Sequence, residues 1–424
     1  MKQYEKYKDS GIQWLGEVPN HWGINPFKRG MLINNGKDYK HIETLEGYPV
    51  IGSGGQFAYA SEYLYDGEAV LLGRKGTIDK PKYINGKFWT VDTMFYAIPQ
   101  KQISTRYMYY QALIFPFGLY QTDTAVPSMT QTDLGNNPVC YPPLSEQLTI
   151  AAYLDYKVGQ IDAAIKEKEA MLEDLKAYRT AIISEAVTKG LDKGVTFVES
   201  GNEAIGNIPL GWKVMKTLYC LSMPITDGPH TTPELLDEGI PFISAEAVSC
   251  GNGKIDFTHK RGYISQDFYE ECCNKYIPQR NDIYMIKSGA TTGKVAIVDT
   301  DEIFTIWSPL AVFRCDIEVM LPSYMFYLLQ STLYQSQVEL GWSFGTQQNI
   351  GMRVLEKIPV PVPPIEEQQS IVEHITNKIY KLDKAIGELS QSSNDLQSYK
   401  SSVISEAVTG KVDLRNWNKK TVTA

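Results

Sequence analysis

The chain contains one 56-residue segment twice, and this repeat constrains the fold more than any other feature. Residues 137–192 align with residues 358–413 at a constant offset of 221 without a gap, and 22 of the 56 aligned positions are identical. A shorter repeat, at an offset of 190, relates Ser10, Gly11, Gly16, Pro19 and Trp22 to Ser200, Gly201, Gly206, Pro209 and Trp212. The chain therefore consists of two tandem copies of one module, and we expect its function to be carried out twice.

Each copy of the long segment predicts one long helix. A proline-rich run precedes the helix in both copies, and prolines cannot continue a helix. Glu146 and Glu367 follow these runs, where acidic residues favour the positive end of a helix dipole. Gly190 and Gly410 lie at the far ends, where a glycine can adopt the left-handed conformation that closes a helix.

Apolar residues at alternating intervals of four and three form a stripe along each predicted helix, as in a coiled-coil seam. Lys168 and Arg179 interrupt the first stripe, and Ser393 and Lys400 interrupt the second. Two such helices, each ~60 Å long at 1.5 Å per residue, are natural partners. Antiparallel pairing is favoured because a whole domain lies between them, and Lys168 and Ser393 at different levels would specify the register. The alternative is two unrelated amphipathic helices, each packed on its own domain.

The segments before the helices are rich in Tyr, Gly, Thr and β-branched residues with short apolar alternations, which is typical of mixed α/β domains with twisted sheets. These two segments are hardly alike in sequence. We expect an α+β fold, with two mixed α/β domains joined by two long helices that form an antiparallel coiled coil. The expected division is a first domain over 1–144, a central helix over 145–190, a second domain over 191–364, a C-terminal helix over 365–413 and a tail over 414–424.

Composition excludes several classes of protein. The net charge of −8 divides into +1 for 1–145, −2 for 146–190, −7 for 191–365, −3 for 366–413 and +3 for the tail. No segment therefore has the strongly basic footprint of a stand-alone DNA-binding protein. No apolar run is long enough to cross a bilayer, and the N-terminus lacks the apolar core of a secretory signal. Six cysteines without a CxxC pair and five scattered histidines predict free thiols, no metal site and a cytoplasmic protein.

Catalytic motifs are not found in the sequence. GATTGKV at Gly289–Val295 has one residue too few between its glycines for a phosphate-binding loop and lacks Ser or Thr after Lys294. The D/N-P-P-Y/F/W motif of amino-methyltransferases and the GxSxG nucleophile elbow are both missing. We therefore expect a binding protein that organises the catalysis of others and has no catalytic residues or cofactor of its own.

Several polar loops have side chains suited to nucleic acid, although an ordinary solvated hairpin is at least as common for each. Small residues can enter a groove, cations can approach phosphate, and amides can bind adenine edges. In the first domain the candidates are Ser53, Gly54, Gly55, Arg74, Lys75, Thr77, Lys80 and Lys82. In the second domain they are Thr226, Asp227, His230, Thr231, Thr232, Lys287, Thr291, Thr292, Lys294, Thr346, Gln347 and Gln348.

A set of motifs in fixed order resembles the specificity subunit of type I restriction-modification systems. These motifs are YKDSGIQWLGEVPNHW (Tyr7–Trp22), PPLSEQ (Pro142–Gln147), SEAVTKGLD (Ser184–Asp192), DGPHTTP (Asp227–Pro233), GIPFISAE (Gly239–Glu246), PPIEEQ (Pro363–Gln368) and SEAVTGKVDLR (Ser405–Arg415). The resemblance spans nearly the whole chain. One departure is Ala204, which stands where the first copy has Trp14.

The resemblance implies two target recognition domains, each reading one half of a split, asymmetric site in double-stranded DNA. It also implies that the paired helices act as a ruler between the half-sites. Two modification subunits would bind S-adenosylmethionine and methylate adenine N6, and two restriction subunits would use ATP and Mg to translocate and cut DNA. Glu146, Gln147, Glu185, Glu367, Gln368 and Glu406 are the candidates for positioning the modification subunits, although helix capping and coiled-coil packing explain them equally well.

Two other interpretations stay open at this point. The charge of −7 in the second domain suits a coiled-coil scaffold that binds partner proteins and no DNA. The second open interpretation is the recognition subunit of a related restriction system that has a fused or differently arranged nuclease.

Overall fold

The structure is a computed structural model that describes residues 2–119, 127–342 and 349–418. The chain divides into two compact units, one made of Met1–Ala170 with Ser390–Ala424 and the other of Met171–Leu389. Each unit therefore contains a globular domain and half of each long helix, which is a different division from the linear one expected along the sequence.

The first globular domain contains short strands around one larger sheet. Its strands are β1 (Tyr7–Asp9), β2 (Glu17–Pro19), β3 (Gly23–Pro26), β4 (Met31–Asn35), β5 (Glu43–Thr44), β6 (Tyr48–Gly52), β7 (Gly55–Ala60), β8 (Tyr65–Gly73), β9 (Lys82–Thr90), β10 (Met94–Pro99) and β11 (Pro138–Tyr141). Its helices are α1 (Thr105–Ala112) and α2 (Gln131–Asn136), and the first long helix, α3 (Leu144–Lys189), follows.

The second globular domain has the same kind of composition. Its strands are β12 (Phe197–Glu199), β13 (Asn207–Pro209), β14 (Lys213–Lys216), β15 (Thr226–Asp227), β16 (Ile240–Ile243), β17 (Gly262–Ile264), β18 (Ile283–Ile286), β19 (Val295–Ile297), β20 (Thr305–Ile306), β21 (Leu310–Phe313) and β22 (Pro359–Val362). Its helices are α4 (Ala245–Cys250), α5 (Gln266–Cys273), α6 (Pro322–Gln330), α7 (Thr332–Leu340) and α8 (Met352–Lys357), and the second long helix, α9 (Ile365–Val408), follows.

The two long helices end as the sequence predicts. Gly190 and Gly410 follow their last turns with φ of +71° and +73°, the left-handed conformation that a glycine adopts without strain. Because the proline runs before the helices cannot extend them, α3 and α9 begin directly after Pro143 and Pro364.

Ion pairs show how the helices meet. Asp162 Oδ1 lies 2.6 Å from Lys400 Nζ in the first unit, and Asp383 Oδ1 lies 2.7 Å from Arg179 Nε in the second. Arg179 lies 17 residues after Asp162 on α3, whereas its partner Asp383 lies 17 residues before Lys400 on α9. The two helices therefore pair antiparallel. The predicted α+β fold with an antiparallel coiled coil is confirmed, and Arg179 and Lys400 interrupt the apolar seam because they bind carboxylates.

The same register corrects one expectation about the seam. With Asp162 opposite Lys400, residue 168 lies opposite residue 394. Lys168 and Ser393 therefore lie at nearly the same level rather than at different levels, and both are half-buried. The pair does not specify the register, whereas the two ion pairs do.

The two globular domains share a sheet order although their sequences are unlike. In the first unit β4, β10, β8 and β9 are neighbours in that order, and in the second unit β15, β21, β18 and β19 follow the same order. The first sheet continues into β6, which pairs with β9 in parallel, while β16 pairs in parallel with the short β20. Fully buried apolar runs in β8 and β18 place these strands at the centre of their domains.

Candidate nucleic-acid interface

One basic hairpin loop lies at a matching position in each unit. In the first unit the loop connects β8 to β9 and contains Arg74, Lys75, Thr77 and Lys80, with Lys82 at the start of β9. In the second unit the corresponding loop connects β18 to β19 and contains Lys287, Thr291, Thr292 and Lys294. The sequence-based candidates from GRKGT and IKSGATTGK thus occupy the same hairpin of two related sheets.

Backbone hydrogen bonds fix the first of these loops. Arg74 donates its N–H to the carbonyl of Thr93 at 2.8 Å, and its own carbonyl accepts from Met129 N–H at 2.9 Å. Lys75 forms an antiparallel bridge with Ser128. The loop is therefore held between the β9–β10 turn and the segment that leads into α2.

The second loop is held in the same way. Lys287 donates its N–H to the carbonyl of Pro309 at 2.8 Å, and its carbonyl accepts from Ile350 N–H at 2.8 Å. Ser288 forms an antiparallel bridge with Asn349. Each bond has its counterpart in the first unit, so Arg74 and Lys287 are structurally equivalent.

A close backbone approach supports the same equivalence. A Cβ on Gly36 would lie 2.0 Å from the carbonyl oxygen of Val91, and a Cβ on Gly228 would lie 1.9 Å from the carbonyl oxygen of Ile306. Only glycine fits at either position. The chain that leaves β4 or β15 therefore lies directly against the backbone that leads into β10 or β21, the segment whose Thr93 or Pro309 carbonyl accepts a hydrogen bond from the basic loop.

In the first unit the small-residue loop and the basic loop come together. A Cβ on Gly76 would lie 3.5 Å from Ser53 Oγ. A cavity of about 460 Å³ is lined by Gly52–Phe57, Val91 and Thr93. A second cavity of about 320 Å³ is lined by Asn35, Arg74, Lys75, Phe95, Ser128, Met129, Thr130 and Gln131. Arg74, Lys75, Lys80 and Gly54 are exposed, whereas Ser53, Gly55, Thr77 and Lys82 are half-buried.

In the second unit a buried carboxylate organises the cations. The Asp227 side chain is 1% exposed and is ion-paired to Lys287 and His230, both at 3.2 Å, and to Lys275. Burial alone would raise the pKa of the Asp227 carboxyl, but the hydrogen bond from Lys275 and the nearby ammonium of Lys287 hold that pKa below its ordinary value. Asp227 is therefore not an outward-facing contact residue, and it fixes the positions of two ammonium groups and the His230 imidazole.

The remaining candidates of the second domain have simpler surroundings. His230, Thr231, Thr232 and Lys294 are exposed, whereas Thr226, Thr291 and Thr292 are half-buried. Thr346, Gln347 and Gln348 lie outside the residues that the structure describes.

Sequence reasoning missed one feature of this face. Arg261 stacks on Trp307, with 3.7 Å between the guanidinium carbon and the ring centroid. Arg261 is exposed and Trp307 is half-buried. The two residues are 46 positions apart, and the only signal in the sequence is the basic pair Lys260–Arg261 before a glycine.

Two of the candidate partner-binding glutamates, Glu146 and Glu367, form hydrogen bonds within their own units. Glu146 is buried and accepts hydrogen bonds from Trp22 Nε1 at 3.0 Å and from the Tyr4 hydroxyl at 3.0 Å, with His21 Nε2 at 2.7 Å. Glu367 accepts from Trp212 Nε1 at 2.9 Å. Repeat-equivalent carboxylates thus bind repeat-equivalent tryptophans.

The two glutamines have a similar internal role. Gln147 Oε1 accepts from the N–H of Ser104, the N-cap of α1, and Gln368 Oε1 accepts from the N–H of Leu321, the N-cap of α6. Both side chains are buried. These bonds join the start of each long helix to a helix of its domain.

Glu185 and Glu406 differ from these four because both are exposed. Glu406 lines a cavity of about 340 Å³ together with Gln3, Tyr153, Tyr399, Val403, Ala407, Lys411 and Val412. The ends of the long helices therefore present a carboxylate beside a partly aromatic depression in the first unit.

The described residues offer neither a metal site nor a membrane-spanning helix. No cluster of three or more His, Cys, Asp and Glu side chains is placed there to hold a metal ion. None of the helices in the described ranges is long and apolar enough to span a membrane. All six cysteines are free, and burial raises the pKa of the Cys140 and Cys220 thiols to about 12, which leaves them unreactive.

Comparisons with known proteins cover most of the chain. Residues 23–173 and 231–389 match the family model for the type I restriction modification DNA specificity domain. The type I restriction enzyme EcoBI specificity subunit of Escherichia coli is 22% identical over 432 residues, which covers 95% of this chain and 89% of that protein. The MjaVIII specificity subunit of Methanocaldococcus jannaschii is 23% identical over 299 residues, covering 70% and 67% respectively.

One solved structure supports the fold. It comes from work on complex assembly and conformational transition of the type I R-M system, and it matches with a TM-score of 0.64 at 16% identity. The match covers 93% of this chain and 99% of the solved chain.

Proposed function

The chain belongs to the type I restriction-modification DNA specificity family, and from this premise we propose that each unit reads one half of a bipartite, asymmetric DNA site. The observation that carries the proposal is the equivalence of the two basic hairpin loops. Arg74 and Lys287 occupy the same place in sheets of the same order, while the side chains around them differ. A shared frame with different loops suits a protein that reads two different half-sites.

The charge of the second domain is compatible with this function. Its net charge of −7 is spread over residues 191–365, whereas Lys275 and Lys287 surround Asp227 and Arg261 lies over Trp307 in the adjacent turn. Phosphate contacts require cations only where the backbone of DNA passes. A local cationic face therefore supports DNA binding despite the acidic domain.

We place the chemistry of the complex in partner proteins. Two modification subunits with S-adenosylmethionine would methylate adenine, and two restriction subunits with ATP and Mg would cleave. The exposed Glu185 and Glu406 are the proposed docking residues for the modification subunits. Glu146, Gln147, Glu367 and Gln368 would act indirectly, since their polar atoms bond within their own units.

Methylome sequencing tests the proposal. The chain is expressed with its own modification subunit in a host that lacks both, and adenine methylation is mapped over the host genome. We expect methylation at one bipartite sequence, and we expect that methylation to disappear when this chain is omitted. A scaffold that binds no DNA would leave the methylome unchanged, and that outcome would overturn the proposal.

A loop variant adds a quantitative test. Arg74→Ala with Lys75→Ala removes two exposed cations, so the slope of log affinity against log salt should fall by about one for each phosphate that these cations neutralise. Lys101→Ala is the matched control, because Lys101 is an exposed cation that follows β10, whereas the basic loop lies beside the start of that strand. Equal salt slopes for the loop variant and the control, measured with the assembled methyltransferase, would count against this face.

A further inference from the structure

Arg261 and Trp307 form a stacked pair, and the backbone N–H of each residue is hydrogen-bonded to the same strand. Arg261 donates its N–H to the carbonyl of Phe242 at 2.9 Å, and Trp307 donates its N–H to the carbonyl of Ile243 at 2.8 Å. Both acceptors are the last residues of β16. The ring and the guanidinium therefore lie side by side at the end of one strand.

The stacked pair is connected to the basic loop through the turn between β20 and β21, which joins the two sheets of the second unit. Trp307 and Pro309 belong to one short turn between β20 and β21, and the carbonyl of Pro309 accepts the N–H of Lys287. The backbone of Trp307 also touches Gly228, the neighbour of Asp227. Arg261 is thus part of the surface that carries the organised cations of the second unit.

The first unit has a different side chain at the corresponding place. Val91 donates its N–H to the carbonyl of Ile51, as Trp307 does to Ile243. Gln56 pairs with Ile51 on the adjacent strand and is exposed over the cavity that Val91 lines. A planar hydrogen-bonding side chain therefore lies near the end of the corresponding strand pair in both units. It is the amide of Gln56 at β6–β7 in the first unit and the guanidinium of Arg261 at β16–β17 in the second.

Among the described residues, the guanidinium of Arg261 has no carboxylate partner. Within the described ranges, no Asp or Glu oxygen lies at ion-pair distance from Arg261, whereas Asp301 binds Arg280 and Asp282 binds Arg314. The ring of Trp307 occupies one face of the guanidinium, and its edge carries the N–H donors. Stacking restricts the plane of the group while leaving its donors available.

Resting on the function proposed above, we propose that Arg261 reads a guanine in the half-site bound by the second unit. A planar guanidinium donates two parallel hydrogen bonds to O6 and N7 of guanine in the major groove, and fixing its plane beforehand reduces the entropy lost on binding. Trp307 is the residue that positions it. This assignment distinguishes Arg261 from Lys275 and Lys287 beside Asp227, whose single ammonium groups are suited to phosphate.

The test pairs protein variants with DNA variants. Wild type, Arg261→Ala and Arg261→Lys are each assembled with the modification subunit, and affinity is measured for the methylome-defined site and for duplexes altered at each base pair in turn. Both variants should lose roughly tenfold or more at the intact site. Both should also lose discrimination at one G·C pair of one half-site and keep it everywhere else, including the whole other half-site. Arg280→Ala is the control, since it removes an exposed arginine of the same unit that Asp301 already binds.

The outcomes separate the base contact from a phosphate contact and from a structural role. The proposal is supported if the slope of log affinity against log salt is unchanged and discrimination is lost at one G·C pair only. If Arg261→Lys behaves as wild type, or if the loss is the same for every duplex and the salt slope falls by about one, Arg261 contacts phosphate and the proposal is overturned. Variants that bind with wild-type affinity and discrimination also overturn it. Failure of the wild-type complex to bind any bipartite site would instead reject the proposed function itself.

Discussion

Glu146 and Glu367 occupy the same position in the repeat but serve different numbers of donors. Glu146 accepts hydrogen bonds from Trp22 and Tyr4 and is also hydrogen-bonded to His21. Glu367 accepts a hydrogen bond from the indole N–H of Trp212. A buried carboxylate is costly unless hydrogen bonds satisfy it. The first unit therefore depends more strongly on its carboxylate than the second unit does.

Replacing each glutamate by glutamine makes this difference measurable. Glu146→Gln places an amide NH2 group against donors, and we expect it to destabilise the first unit by about 1–3 kcal/mol. Glu367→Gln can keep its single indole bond through Oε1 and should cost less. Hydrogen exchange resolved by unit is the measurement, with the exposed Glu366→Gln as control. Equal losses in both units would contradict the expectation.

Asp227 predicts a pH dependence of the second unit. The pKa of its carboxyl is lowered in the folded protein, so its contribution is complete above the unfolded value of about 4 and is lost as the pH falls through the lower folded value. Asp227→Asn should cost about 1–3 kcal/mol near neutral pH. The difference in unfolding free energy between wild type and variant should stay constant from pH 7 to about pH 5 and shrink at lower pH. A difference that grows on acidification would contradict this sign.

At the scale of the elements, the repeat relates the two ion pairs of the coiled coil to each other. At the repeat offset of 221, Asp162 corresponds to Asp383 and Arg179 corresponds to Lys400. The apolar spacing in the sequence predicted two helices that pair, because period and length are local properties. It could not supply the register, which depends on which charges meet across the seam.

Charge exchange tests this register. Lys400→Asp alone brings two carboxylates together and should destabilise the first unit by about 0.5–1 kcal/mol, since the pair is partly exposed. Adding Asp162→Lys should restore most of the loss. Thermal unfolding of the four members of this double-mutant cycle gives the coupling energy. Lys378→Asp is the control for charge change, because Lys378 is an exposed lysine of α9 that has no ion pair among the described residues. Zero coupling between 162 and 400 would refute the register.

For the whole molecule, the frame was predictable and the recognition face was only partly so. The duplicated helices, the closing glycines and the basic hairpin loops follow from repeats and local spacing. The equivalence of Arg74 and Lys287 does not, because backbone hydrogen bonds to distant turns define it and the surrounding sequences differ. The contact of Arg261 with Trp307 likewise arises only when β16 and β20 pair.

The observed register turns the ruler hypothesis into a defined experiment. Residues 167–173 lie between Asp162 and Arg179 along α3, and residues 389–395 lie between Asp383 and Lys400 along α9, so removing both segments deletes one heptad from each helix and keeps both ion pairs. The coiled coil should shorten by ~10 Å at 1.5 Å per residue, and the spacer between half-sites by about three base pairs.

Methylome sequencing reads the result directly, because both half-sites should be retained and only the spacer should change. Deleting residues 167–173 alone is the matched control, since it shifts one helix against the other, breaks an ion pair and should abolish or greatly reduce methylation. If the double deletion methylates the original spacer, the helices do not set the distance, and the spacing must instead come from how the partner subunits hold the DNA.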